Sequence, residues 1–116
     1  TLRGTANGIG TRDDGSTLLN FGNVGCTGTF TYTTGDNLGF ALDFANHKIW
    51  IRINGGNWCG SGTDNPVTNT GGADVSSITG ALFPAFWSPD FGASVTAKFS
   101  SASWSFTAPS GFTQVQ

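Results

Sequence analysis

Between residues 37 and 54 the sequence alternates apolar and smaller or polar side chains with a period of two, once on each side of a short polar break. Leu38, Phe40, Leu42 and Phe44 fall on one face of an extended segment, with Gly39, Ala41 and Asp43 on the other. After Ala45-Asn46-His47, the residues Ile49, Ile51 and Ile53 repeat the pattern opposite Trp50 and Arg52. An extended chain sends successive side chains to opposite faces, so the pattern predicts two strands joined by a tight turn. Asn tolerates positive φ, which puts Asn46 at that turn. Both faces carry bulk, so the hairpin is expected in the middle of a sheet, with Trp50 in the core.

The rest of the chain must pair with this hairpin and cover it, and its composition suits strands. Only 10% of residues are charged, against about 25% in an average domain, and Glu is absent. Gly, Asn and Asp favour turns, Thr and the aromatics favour strands, and the strong helix formers are scarce. The 116 residues suffice for one domain, and 10 Phe and 4 Trp supply a core. Further strands are expected at 17–21, 27–33, 81–87, 94–99 and 103–107. Phe30 and Tyr32 alternate with Thr29, Thr31 and Thr33 in the second of these, and Trp104 alternates with Phe106 in the last. That spacing predicts Trp104 and Phe106 buried, with Phe112 as a final core anchor. Residues 1–16 read as loop, and 59–78 as a long polar loop of the kind that often carries function. Short strands separated by Gly and Pro turns imply an all-β sandwich or barrel.

Several function classes are disfavoured. A net charge of −2 gives no basic field for nucleic acid. No apolar run approaches the roughly 20 residues of a membrane helix, so membrane insertion is not expected. There is no initiating Met, and the chain starts at Thr1 as though cut from a longer protein. The carboxylates are Asp13, Asp14, Asp36, Asp43, Asp64, Asp74 and Asp90. None forms an evident acid/base pair of the kind glycosidases use. His47, the one histidine, sits at a hairpin turn, unsuited to a catalytic triad or a His-rich metal site. Asp64-Asn65 with Asp74 lacks the calcium-loop pattern. No catalytic residue, metal or cofactor is therefore expected. Cys26 and Cys59 fit either two thiols or one disulfide.

Two tryptophans lie beside polar loop residues. Trp58 stands beside Asn57 at the mouth of the long loop, and Trp87 precedes Ser88-Pro89-Asp90. Aromatic faces flanked by amides and carboxylates suit sugar stacking or a protein hot spot, which makes Asn57, Trp58, Asp64, Asn65, Trp87 and Asp90 the candidate ligand-binding residues. The competing reading is that both rings pack under the loop.

Specific motifs add a resemblance. GDNLGFALDF (35–44) resembles the Gly-Asp-aliphatic-Gly-x-x-Leu-Asp strand of SPRY domains, and KIWIRINGGNW (48–58) their next strand with its Asn-Gly turn. LFPAF (82–86), VTAKF (95–99) and WSFTAPSGF (104–112) resemble their later strands and C-terminal segment. The Gly-Gly-Asn-Trp turn, the Thr/Asn/Gly loop and the final Pro-Ser-Gly-Phe are similar to SPRY-like modules of bacteriophage and prophage tail or other virion proteins. The likeness spans 35–112. The Trp/Tyr-Trp-Glu and Ile-Gly-aliphatic segments that usually open the family are not evident before Gly35, so the first strands are divergent, supplied by another chain, or missing. The resemblance implies a two-sheet antiparallel, concanavalin-like jelly-roll sandwich. It also implies binding of protein or peptide ligands through edge loops, as in most of the family, with no shared catalytic residues.

The expected function is then a non-catalytic binding or assembly module, extracellular or on a virion. Its expected partners are a host-surface glycan or protein, or other virion subunits, with a homotrimer formed through the parent chain. A purely structural capsid-decoration or trimerisation domain is the first alternative, and a glycan hydrolase of concanavalin-like fold the second.

Overall fold

The computed structural model describes residues 9–11, 17–19, 22–23, 26, 31–81, 92 and 94–115. Their regular structure is β-rich: two three-stranded antiparallel sheets, with helical structure confined to short 3-10 turns among the described residues. The first sheet contains β1 (Ile9–Thr11), β2 (Thr17–Leu19) and β3 (Gly22–Asn23) in that order. The pairing of Ile9 with Leu19 and Thr11 with Thr17 places a strand inside the segment 1–16 that reads as loop. Its three residues, with Gly10 between Ile9 and Thr11, are too short to display a period, so only the pairing reveals it.

The second sheet contains β4 (Leu38–Asp43), β5 (Lys48–Ile53) and β6 (Ala73–Asp74), with β5 central. The predicted hairpin is present in full, in a register running from Leu38 opposite Ile53 to Asp43 opposite Lys48. Its turn differs in detail. His47, not Asn46, takes the left-handed conformation at φ 54°. The Asp43 carboxylate accepts from the Asn46 backbone N–H at 3.1 Å and its side-chain amide at 2.7 Å, which leaves the reversal of the chain to the last turn residue. At the open end, the Asn54 N–H donates to the Asn37 carbonyl, and the Asn37 N–H donates to the Asn54 side chain.

Each face of the hairpin carries its own apolar cluster. Ala41 and Trp50, cross-strand partners, pack with Cys59 and are covered by Cys26, Trp58 and Phe112. On the opposite face Ile49 packs with Ala73 and Val75, joined by Leu42 and Ile78. The expected apolar stripe on β4 is only partly used: Phe40 is 51% and Phe44 65% exposed, while small Ala41 on the other face is buried. β4 is the outer strand of the described sheet and β5 the inner one, so β5 takes most of the covering.

The long polar segment is more ordered than its composition suggests. It contains 3-10 turns at Trp58–Gly60 and Pro66–Thr68, a two-residue bridge between Asn65 and Thr70, and β6. A disulfide joins Cys26 to Cys59 within the Trp50 cluster.

The later strands are a correction. Residues 94–99 and 103–107 form no ladder; Ser101–Ser103 make a 3-10 turn, and the chain bends again at Ser105 and Phe106. Thr and aromatic alternation gives an extended chain a reason to be straight, but a strand also needs a partner edge. Residues 31–33 are likewise outside any strand. Residues 27–30 and 82–90, which complete the expected strands 27–33 and 81–87, lie outside the described residues. None of the described helical turns is long and apolar enough to cross a membrane.

Candidate functional site

Trp50 fixes the geometry on its side of the sheet. Its indole N–H donates to the Thr70 carbonyl at 2.9 Å, and its side chain is fully buried. Gly72, at φ 78°, lies so close that a Cβ there would come within 2.6 Å of the indole. Lys48 reaches over to the Asn69 carbonyl at 2.9 Å. The loop 57–72 is thereby folded down over the sheet.

The candidate residues on that loop are dispersed. Asn57 is exposed and precedes the turn that begins at Trp58. Trp58 is half-buried, with the Ala41–Trp50–Cys59 cluster against it and the Arg52 guanidinium 4.4 Å from its ring centroid. Asp64 is turned inward, 6% exposed, and accepts from the Gly72 N–H at 3.0 Å. The Asn65 side chain accepts from the Val67 N–H and caps the Pro66–Thr68 turn. Asp64 and Asn65 thus hold the loop together, and Trp58 is packed rather than presented as an open face. Trp87 and Asp90 lie outside the described residues.

The other described carboxylates are engaged in turns. The Thr33 N–H, followed by the Asn54 amide, lowers the Asp36 carboxyl below its ordinary 3.8. The Asn46 side chain, then its backbone N–H, does the same for Asp43. Ser76 does so for Asp74 through its hydroxyl and its backbone N–H. In each case the hydrogen bond favours the charged form.

What sequence reasoning missed lies along 94–115. This segment is tied to the open end of the hairpin by long-range bonds: Arg52 Nη2 donates to the Thr107 carbonyl at 2.6 Å, and the Ser105 hydroxyl meets Asn37 Oδ1 at 3.2 Å. Gly39, opposite Arg52, gives the arginine stem room, since a Cβ there would sit 3.3 Å from its Cγ. Partial burial moves the Arg52 guanidinium pKa down from its ordinary value.

Along this segment runs an open groove of about 540 Å³ lined by Ser101, Trp104, Ser105, Phe106, Thr107, Ala108, Phe112, Thr113 and Gln114. Its volume falls within the range of about 300–1,000 Å³ of small-molecule sites. Each aromatic ring in it has a contact behind it. The Trp104 indole N–H donates to the Lys98 carbonyl at 2.8 Å. Phe106 rests on Gly55, where a Cβ would come within 2.5 Å of the ring. Phe112 meets Trp50 edge-on, with centroids 6.4 Å apart. The Gln114 carbonyl oxygen is fixed by the Ser101 N–H at 2.9 Å. Phe106 nevertheless remains 42% exposed and Trp104 half-buried, which corrects the expectation that both are core. The sequence signal was present in the run of aromatics interleaved with Ser, Thr and Gln, but the same alternation reads equally as a buried strand.

No protein family, curated protein or solved structure matches the chain.

Proposed function

We propose that the chain is a non-catalytic binding module of SPRY-like, two-sheet sandwich type, carried on a bacteriophage or prophage virion and recognising a host-surface glycan or protein. The observation that carries this reading is the groove along 101–114: three aromatic rings beside hydroxyls and an amide, with no titratable side chain in its lining. Aromatic faces supply apolar contact at little entropic cost, and fixed polar groups supply orientation. Asp36, Asp43, Asp64 and Asp74 all serve local structure, which supports binding over hydrolysis. The Cys26–Cys59 disulfide supports an oxidising, extracellular setting.

The test is a screen of the purified chain against surface glycans and envelope proteins. Binding that Phe106→Ala abolishes and Trp58→Ala weakens only together with stability is the expected result. Polysaccharide cleavage, or no binding to either class, would overturn the reading.

A second reading, assembly with other virion subunits, draws on the exposed Phe40 and Phe44 beside the outer strand β4. Uncovered strand edges pair readily with other chains. Light scattering on a sizing column separates the two: a monomer favours the binder, a defined trimer favours assembly.

A further inference from the structure

The residues that line the groove are uncharged, but two of them are hydrogen-bonded to cations that lie outside the lining. Thr107, which lines it, accepts from Arg52 Nη2 at 2.6 Å, and Ser105, which also lines it, accepts from Lys98 Nζ at 3.0 Å. Lys48, Arg52 and Lys98 are the Lys and Arg side chains among the described residues, and two of those three abut this one feature. Neither makes an ion pair with a carboxylate among the described residues; their polar partners there are a carbonyl and a hydroxyl. The chain as a whole carries a net charge of −2, so general electrostatics would not gather cations at this place.

Resting on the binding function proposed above, we infer that the groove takes a negatively charged saccharide, its sugar faces against Phe106 and Trp104 and its anionic group toward Lys98 and Arg52. The aromatic lining alone would suit a neutral sugar, an apolar peptide or a lipid tail equally. The hydroxyls of Ser105 and Thr107 and the Gln114 amide select against a purely apolar ligand, because their hydration would be lost without replacement. The paired cations then select among polar ligands. A carboxylate or sulfate on the sugar supplies the anionic partner that Lys98 and Arg52 lack within the described residues. Lys98, exposed and held among the described residues by Ser105, can reorient toward the ligand. Arg52, stacked on Trp58, is held in place and contributes a fixed charge.

The experiment is a printed array of carboxylated, sulfated and neutral oligosaccharides, probed with the intact chain and with its Lys98→Met, Lys98→Arg and Phe106→Ala variants. The expected result is binding to acidic glycans that falls at least about tenfold in Lys98→Met and in Phe106→Ala, is largely kept in Lys98→Arg, and weakens with salt. Whether carboxylated or sulfated glycans bind identifies the anion. Binding of neutral glycans alone, or of acidic ones with no loss in Lys98→Met, overturns the inference and leaves the proposed function standing. If no glycan binds, the inference falls; the protein half of the screen described above then decides whether the proposed function falls with it.

Discussion

Gly72 and Gly55 occupy matching positions in two regions of unlike character. Both have positive φ, 78° and 71°, and at both a Cβ would lie within 2.6 Å of an aromatic ring. The ring at Gly72 is Trp50, fully buried between the sheet and the folded-down loop; the ring at Gly55 is Phe106, 42% exposed on the C-terminal segment. Around Trp50 the chain has a ladder, a disulfide and two buried neighbours. Around Phe106 it has single hydrogen bonds made by side chains to backbone or to other side chains, and no ladder among the described residues. The first region holds the fold. The second is laid across it and presents side chains, as binding surfaces on rigid scaffolds commonly do.

Substitutions test this division, beginning with the largest effect. Trp50→Ala removes the central side chain of its cluster and should lower stability by about 3–5 kcal/mol, measured by denaturant unfolding, whereas Phe106→Ala should lower it by only about 1 kcal/mol. Similar values for the two would erase the distinction.

Reducing the Cys26–Cys59 bond, or replacing both residues by Ala, releases a closure spanning 33 residues. Chain entropy alone puts that loss at about 3–4 kcal/mol. Melting with and without reductant checks it, and binding to the groove should persist at temperatures where the reduced chain is still folded.

The two glycines give the sharpest contrast. Gly55→Ala should lose only the left-handed backbone term of about 1–2 kcal/mol, because Phe106 can swing into solvent, but it should weaken ligand binding by moving that ring. Gly72→Ala carries the same term plus about 1–3 kcal/mol of overpacking against an immovable indole. Equal losses in melting temperature would show that Phe106 is as confined as Trp50.

The smallest effect is on pH. Hydrogen bonds lower the carboxyls of Asp36, Asp43 and Asp74 below 3.8. Their contribution is therefore complete above the ordinary carboxylate pKa and is lost as pH falls through the depressed folded values. Stability should be insensitive to these groups from neutral pH down to about 4 and decline below it. Asp43→Asn should blunt that decline, most visibly in the amide signals of the 44–47 turn.

How much of this was legible in the sequence depended on contact range. The hairpin was readable because its partners are neighbours in sequence and the apolar period specifies their register: Ala41 meets Trp50 and Leu42 meets Ile49 as the alternation requires. The Trp104/Phe106 alternation has the same period, yet it does not distinguish a buried strand from an irregular segment lying on a surface. That distinction rests on bonds such as Arg52 to Thr107 and Ser105 to Asn37, 55 and 68 residues apart. Asp64 misled for a related reason. A polar loop residue reads as exposed, and only the folding of Gly71 and Gly72 over it makes its carboxylate an internal fastening. The groove was assembled from residues whose individual roles looked like packing.

The division between a scaffold that holds the fold and a segment that presents the proposed binding surface is tested most directly by native-state hydrogen exchange read residue by residue. The amides of β5 and β6 should exchange only through global unfolding, and those of 94–115 through local opening at much lower free energy. Uniform protection across 48–75 and 94–115 would contradict the account, because the C-terminal segment would then be part of the cooperative core.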